Sequence, residues 1–203
     1  MKTAKILTVI WDMGGVLLRT EDPVPRTRLA EKMGLTRRAL EKLVFASETS
    51  RLAEAGKIPE EKHHQYVTDK LGIPFDQWSD FILEFFLGDR INDDLLKYMG
   101  SLKPNYRLGL LSNAWLSARD FVTDHYQLLD VFDQTIFSAE VSMRKPEPDI
   151  YLLALAEMDT ASSQAVFIDD VVENVEAARA VGMRAVQYRT TQQVIQDLSS
   201  ILV

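Results

Sequence analysis

Short apolar runs alternate with amphipathic stretches along most of the chain. Each run is followed by polar or turn-forming residues, which is typical of buried strands. The predicted strands cover residues 6–11, 107–111, 165–168, 184–188 and, as the weakest, 134–137. Helical patterns cover residues 93–102, 116–125, 148–157 and 171–181. This alternation predicts an α/β fold, a doubly wound, Rossmann-like parallel sheet sandwiched between helices.

The segment between the first two strands has a different pattern. Apolar residues there recur at helical spacing, as at Trp78, Phe81 and Phe85, and residues from about 20 to 88 contain no convincing strand. A loop of this length would be unusual in a compact domain, so we predict an inserted helical cap at residues 18–89. The core then comprises residues 1–17 and 90–203. The insertion point places the cap over the carboxyl ends of the strands, where such sheets bind ligands.

Composition narrows the function classes. The 203 residues include no cysteine, which excludes disulfides, thiolate metal sites and a cysteine nucleophile. A net charge of -7 is unsuited to a nucleic-acid backbone. The apolar run before Asp12 is too short for a signal peptide or a membrane span. We therefore expect a soluble, cytoplasmic protein, a monomer or homodimer, with no nucleic-acid or membrane partner.

Polar residues follow four of the predicted strands. Taken singly, each has a structural explanation: Ser112 or Asn113 can cap a helix, Lys145 can be solvated, and Asp170 with Glu173 resembles a capping box. The four groups are Asp12 with Gly14 and Gly15, Ser112 with Asn113, Lys145 with Pro146, and Asp169 with Asp170. All are predicted to lie at one edge of the sheet.

Three carboxylates at one edge need a cation. Asp12, Asp169 and Asp170 would repel one another by roughly 4 kcal/mol per pair at about 4 Å and an effective dielectric near 20. Lys145 supplies one positive charge. Mg²⁺, which prefers carboxylate and water oxygens, fits the remaining requirement.

The order and context of these residues resemble the four motifs of the haloacid dehalogenase (HAD) superfamily. The matching stretches are Asp12-Met13-Gly14-Gly15-Val16-Leu17, Ser112-Asn113, Lys145-Pro146 and Asp169-Asp170. The insert resembles the small helical cap of the subfamily that carries it after the first motif. Within that subfamily, the Asp-x-Gly-Gly variant is similar to bacterial sugar-phosphate phosphatases and to the N-terminal domains of epoxide hydrolases.

The resemblance implies roles for the motif residues. Asp12 would be the nucleophile that accepts the phosphoryl group, and Lys145 would neutralise the phosphate and keep Asp12 ionised. Ser112 would bind a phosphoryl oxygen, together with backbone N–H groups near Gly14 and Asn113.

The same resemblance implies a Mg²⁺ site. Asp12, the carbonyl of Gly14 and Asp170 would be ligands, and Asp169 would be a further ligand or an outer partner. The implied function is Mg²⁺-dependent hydrolysis of a small phosphorylated metabolite, such as a sugar phosphate, through an aspartyl-phosphate on Asp12.

One position departs from the superfamily pattern. Most of its phosphatases carry a second aspartate, a general acid, where this chain has Gly14. Three accounts of this departure are open. The leaving group needs little protonation, as with an anomeric sugar phosphate; a water or another carboxylate (Glu173 or one from the cap) takes the place of the aspartate; or the reaction is slow or absent. Two alternatives therefore stay open: a 2-haloacid dehalogenase-type hydrolase, which the adjacent Asp169 and Asp170 disfavour, and a catalytically weak binding or regulatory module.

Substrate choice is expected to come from the cap. Glu48, Arg51 and Glu54 lie before Gly56, where a cap loop can reach the crevice, although a solvated helix face explains them more simply. We interpret His63 and His64 as helix surface. We interpret the aromatic run at residues 78–86 as packing within the cap or against the core.

Overall fold

A computed structural model describes residues 4–202 and contains a five-stranded parallel sheet. The strand order is β5-β4-β1-β6-β7, and all neighbours run parallel. The strands are β1 (Thr8–Trp11), β4 (Arg107–Ser112), β5 (Gln134–Phe137), β6 (Ala165–Asp169) and β7 (Arg184–Gln187), while β2 (Leu18–Thr20) and β3 (Asp89–Ile91) form a separate antiparallel pair. The predicted α/β fold is confirmed.

Helices cover both faces of the sheet because successive strand side chains point to opposite sides. Val9 and Trp11 of β1 belong to one buried cluster, and Ile10 belongs to another. The first cluster includes apolar residues of α6 (Asp93–Leu102), α7 (Ala118–Tyr126) and α11 (Thr191–Ile201), and the second includes residues of α9 (Pro148–Glu157) and α10 (Val172–Ala180). A short helix, α8 (Ser138–Val141), follows β5.

The segment between β2 and β3 is helical, as its apolar spacing predicts. Its core is a third buried cluster that includes Leu29, Leu40, Val67 and Phe85. The helices are α1 (Val24–Lys32), α2 (Arg37–Phe45), α3 (Glu48–Glu54), α4 (Glu60–Leu71) and α5 (Trp78–Phe86). We refer to these five helices as the cap. We propose that the β2–β3 pair is the neck that joins the cap to the core.

Several local expectations were wrong. The first strand begins at Thr8 rather than at residue 6, and β7 ends before Tyr188. His63 and His64 are buried rather than on the helix surface, because α4 packs them against Trp78 and Trp115. Within residues 4–202, no helix has the length and apolar character needed to cross a membrane.

Candidate active site

Strand register brings the predicted site residues to one edge of the sheet. Trp11 pairs with Leu110 on one side and Ile168 on the other, so the next residue, Asp12, is level with Asp169. The backbone N–H of Asp12 donates to the carbonyl of Ile168 at 2.8 Å, which fixes this register at the end of β1. Side chains that are far apart in sequence therefore converge over the carboxyl ends of the central strands.

Lys145 lies between two of the carboxylates. Its Nζ is 2.6 Å from Oδ1 of Asp12 and 2.7 Å from Oδ2 of Asp169. Only 1% of Lys145 is exposed, so these pairs are shielded from water. The Asn113 side chain fixes the backbone of Lys145: Asn113 Nδ2 donates to the Lys145 carbonyl at 2.9 Å, and the Lys145 N–H donates to Asn113 Oδ1 at 2.8 Å.

Both carboxylate oxygens of Asp169 have protein partners. Oδ2 accepts from Lys145 and also from Asn174 Nδ2 at 2.9 Å, and Oδ1 accepts from the backbone N–H of Val171 at 2.8 Å. This last bond replaces the capping box suggested for Asp170 and Glu173, because the residue before α10 is Val171 and no side chain caps it. Asp169 is therefore held rigidly, with its lone pairs largely engaged.

Asp170 is exposed and lies against the turn that follows Asp12. A Cβ built on Gly15 would overlap Asp170 Oδ2, and Gly15 has a φ of +80°. Any other residue at position 15 would displace this carboxylate and strain the turn. A Cβ on Gly14 meets nothing within 4 Å, so the missing aspartate is not excluded by lack of space.

The acidic cluster carries more negative charge than Lys145 can balance. Ligand atoms of Asp12, Asp169 and Asp170 lie within 4.8 Å of one another. Burial, opposed by Lys145 and reinforced by Asp169, raises the pKa of Asp12 well above its ordinary value. Burial and Asp169 also raise the pKa of Asp170. Three carboxylates and one ammonium leave two excess negative charges, so the donor set fits a divalent cation with oxygen ligands.

Ser112 is placed to receive an anion. Its side chain is at the end of β4, is 2% exposed and lines the same cavity as Asp12 and Lys145. Within the described part of the chain, the Ser112 hydroxyl makes no hydrogen bond. It is thus free to donate to an oxygen of a bound ligand.

A cavity of about 630 Å³ extends from this cluster to the cap. Its volume is in the range of small-molecule sites. Glu54 of α3, one of the cap residues considered from the sequence, lines the cavity and is ion-paired with Arg144 at 3.0 Å. Burial raises the pKa of Glu54 even though Arg144 opposes the shift. Glu48, Arg51 and Glu173 are not among the lining residues.

Asn174, part of the sequence context around Asp169 and Asp170 that resembles the superfamily, lies one helical turn after Asp170 and orients Asp169. Other residues of the site have no clear signal in the sequence. Trp115 follows Ser112 closely and contacts the cap. The indole Nε1 of Trp115 donates to Ser50 Oγ at 3.2 Å. His64 also lines the cavity, with its ring stacked on Trp78 at 4.1 Å. These contacts depend on how the cap packs on the core, which local patterns do not encode.

Comparison with known families identifies the fold and its chemistry. A family model described as hydrolase, haloacid dehalogenase-like hydrolase, matches residues 6–182. The chain belongs to this family. It is therefore a HAD hydrolase, and the matched range includes the acidic cluster and Lys145.

Two relatives that span most of the chain are phosphatases. Sesquiterpene phosphatase astK of Aspergillus oryzae is 31% identical over 189 residues, covering 86% of this chain and 85% of that protein. D-ribitol-5-phosphate phosphatase of Bacteroides thetaiotaomicron is 23% identical over 216 residues, covering 97% of this chain and 98% of that protein. The HAD hydrolase described here is thus similar to phosphoric monoester hydrolases.

A solved structure supports the same fold. A HAD family enzyme from Bacteroides thetaiotaomicron, in complex with magnesium and inorganic phosphate, superposes with a TM-score of 0.74 at 22% identity. The alignment covers 92% of this chain and 96% of that chain. The likeness therefore extends over both the sheet and the helical insertion.

Proposed function

We propose that this HAD hydrolase is a Mg²⁺-dependent phosphatase that transfers the phosphoryl group of a small phosphorylated metabolite to Asp12. The observation that carries the proposal is the buried Lys145, hydrogen-bonded to both Asp12 and Asp169 beside the exposed Asp170. This arrangement holds a carboxylate ready for attack next to an oxygen-rich cation site. The magnesium- and phosphate-bound structure of a fold neighbour supports the choice of ligand.

In the first step, a carboxylate oxygen of Asp12 attacks phosphorus while the bond from phosphorus to the leaving oxygen breaks. Lys145 neutralises charge on the phosphoryl oxygens and favours the ionised form of Asp12. Ser112 and the backbone N–H groups near Gly14 and Asn113 donate to those oxygens. In the second step, water attacks phosphorus, the bond to Asp12 breaks, and inorganic phosphate leaves.

Asp12, Asp170 and the carbonyl of Gly14 are the residues proposed to hold Mg²⁺. Asp169 is better suited to an outer role, because Lys145, Asn174 and Val171 already occupy both of its oxygens. When bound, the cation supplies charge neutralisation that reduces repulsion between the nucleophile and the phosphate.

The proton for the leaving group needs a donor other than residue 14. Glu54 is the strongest candidate among the carboxylates considered, because it is a cap residue that lines the cavity and has a raised pKa. Glu173 is a weaker candidate because it does not line the cavity. We propose that Glu54 protonates the leaving oxygen and then accepts a proton from the attacking water.

The phosphatase and the two alternatives, a dehalogenase and a binding module, predict different outcomes when the protein is given a phosphate ester and a 2-haloacid. Release of phosphate from 4-nitrophenyl phosphate that is abolished by EDTA and restored by Mg²⁺ supports the phosphatase. Halide release from a 2-haloacid that is insensitive to EDTA would instead indicate a dehalogenase, and no turnover of either substrate would indicate a binding module.

Asp170→Asn should raise the Mg²⁺ concentration needed for half-maximal activity by about tenfold or more.

The relatives' names indicate two kinds of substrate for this site. One relative is named a sesquiterpene phosphatase and another a D-ribitol-5-phosphate phosphatase. Relatives of this chain therefore hydrolyse phosphate esters of both an apolar alcohol and a polyol. The residues around Asp12 act on the phosphoryl group that both kinds share. The choice between them must come from the cavity wall next to the cap.

A further inference from the structure

One side of the cavity is formed almost entirely by apolar side chains. We call this set the aromatic wall; it consists of Phe45, Trp78, Ile82, Phe86, Trp115 and Phe121. Cap and core both contribute to it: Phe45 stacks on Trp115 with ring centroids 6.2 Å apart, and Phe86 meets Phe121 at 5.3 Å. The wall is therefore a joint surface of cap and core, and its member Trp115 lies three positions after Ser112 in the chain.

Charged side chains that line the cavity near the aromatic wall already have partners. Arg26 donates to Asp89 at 2.8 Å and to the carbonyl of Phe85 at 3.0 Å, and Glu54 accepts from Arg144 at 3.0 Å. In addition, Arg26 bonds Thr20 and Glu41. These groups form bonds within the protein, so they offer few partners to the hydroxyls of a substrate.

Four fully buried side-chain nitrogens of the described residues have no hydrogen-bond partner, and one of them belongs to a residue that lines the cavity. His64 Nε2 is buried without a hydrogen-bond partner, and His64 lines the cavity. The other buried side-chain nitrogens without partners belong to Trp11, His63 and Arg144, which do not line it. Beyond the phosphate-binding end, the cavity thus presents mainly an extended apolar surface.

We infer that the substrate is the phosphate monoester of an apolar alcohol, an alkyl or isoprenoid phosphate, whose hydrocarbon body lies against the aromatic wall. This inference rests on the proposed phosphatase activity and names its substrate class. Burying a hydrocarbon there removes apolar surface from water on both partners. A polyol phosphate would instead lose the hydration of its hydroxyls and find too few partners to replace it.

The decisive comparison is n-pentyl phosphate against ribitol 5-phosphate. Both are esters of a five-carbon primary alcohol, so their leaving oxygens are alike and they differ in hydroxyl groups. We expect kcat/KM for n-pentyl phosphate to be higher by about a hundredfold, because the wall leaves several substrate hydroxyls unpaired. Equal rates, or faster hydrolysis of ribitol 5-phosphate, would overturn the inference.

Chain length provides a second, independent measure on the unmodified enzyme. From butyl to octyl phosphate, each added methylene should raise kcat/KM by about fourfold until the cavity is filled. A flat series would show that the hydrocarbon stays in water and would contradict the inference.

Neighbouring residues of α5 offer a matched pair of variants. Ile82 lines the cavity, whereas Leu83 is 46% exposed. Ile82→Ala should lower the ratio of octyl phosphate to acetyl phosphate turnover by about tenfold, and Leu83→Ala should leave that ratio unchanged. Equal effects of the two substitutions would contradict the placement of the hydrocarbon.

Acetyl phosphate separates this inference from the proposed function. It carries the phosphoryl group on a small, easily expelled carboxylate and hardly reaches the aromatic wall. Mg²⁺-dependent hydrolysis of acetyl phosphate without preference for alkyl chains would preserve the phosphatase and refute the substrate class. Failure to hydrolyse acetyl phosphate, 4-nitrophenyl phosphate and every alkyl phosphate would refute the phosphatase itself.

Discussion

The two sides of the cavity are built on opposite principles. On the core side, Lys145, Asp12 and Asp169 are buried charges joined by short hydrogen bonds. On the cap side, rings such as Phe45 and Phe86 pack against Trp115 and Phe121, and the indole N–H of Trp115 adds one hydrogen bond to Ser50. In the proposed function, the core side acts on the phosphoryl group whatever the rest of the substrate is, and the cap side selects the rest of the substrate. Changes on the core side should therefore affect all substrates, and changes on the cap side should discriminate among them.

The largest effect is expected at the centre of the core side. Asp12→Asn keeps the shape of the side chain but removes its nucleophilic oxygen, so turnover of every substrate should fall by at least about ten-thousandfold. Asp124→Asn, at an exposed position of α7, is the control and should be silent. Residual Asp12→Asn activity within tenfold of the wild-type rate would contradict the assignment.

Comparison of two substrates with different leaving groups tests whether Glu54 of the cap is the general acid. Glu54→Gln should lower turnover of n-pentyl phosphate by about a hundredfold, because an alkoxide needs protonation as it leaves. Acetyl phosphate, whose carboxylate leaves without a proton, should lose far less. Glu48→Gln on the same helix is exposed and should change neither rate. Equal losses on both substrates would show that Glu54 only supports the structure through Arg144.

The cap should be more sensitive to acid than its exposed charges suggest. Burial, with a smaller contribution from His64, lowers the pKa of His63 to about 4 from an ordinary value of 6.5. Between pH 4 and pH 6.5, His63 binds a proton more readily in the unfolded chain than in the folded one. The free energy of unfolding therefore keeps the full His63 contribution above pH 6.5 and decreases as the pH falls below that value. From pH 7 to pH 5 the loss due to His63 should be about 2 kcal/mol.

Thermal unfolding of wild type and His63→Gln across this pH range measures that loss. The variant should be less stable at pH 7, since it disturbs the bond to Thr49 Oγ1, but its melting temperature should depend less on pH. Parallel pH profiles of the two proteins would show that His63 does not titrate on unfolding.

The smallest effect is expected from restoring the missing aspartate. Gly14→Asp has room for its side chain and no backbone strain at a positive φ. If Glu54 already serves as the acid, Gly14→Asp alone should change turnover of n-pentyl phosphate little, but it should recover about tenfold in the Glu54→Gln background. A large gain in the wild-type background would mean that Glu54 does not fill the role.

Much of the core, and little of the cap, could be predicted from the sequence. The helices at residues 93–102 and 148–157 were predicted to the residue, and the sheet's strands were found because each is a continuous apolar run. Asp12, Ser112 and Asp169 follow or end such strands, so parallel register alone predicts that they meet. Their proposed roles stay predictions until the variants are measured.

Cap features depend on contacts between distant segments. His63 and His64 have an unremarkable polar context in the sequence, and only the packing of α4 against Trp78 and Trp115 buries them. The pairing of Glu54 with Arg144 likewise joins residues ninety positions apart. No periodicity or motif encodes such pairs, which explains why the aromatic wall appeared only in the structure.

Chemical trapping of the phosphoryl group on Asp12 is the most direct test of the central claim. During turnover of acetyl phosphate with Mg²⁺, quenching with borohydride reduces an aspartyl phosphate to homoserine, which peptide mass spectrometry locates. We predict homoserine at position 12, with none after EDTA treatment and none in Asp12→Asn. Steady phosphate release with Asp12 unmodified, or homoserine at Asp169 or Asp170 instead, would contradict the account.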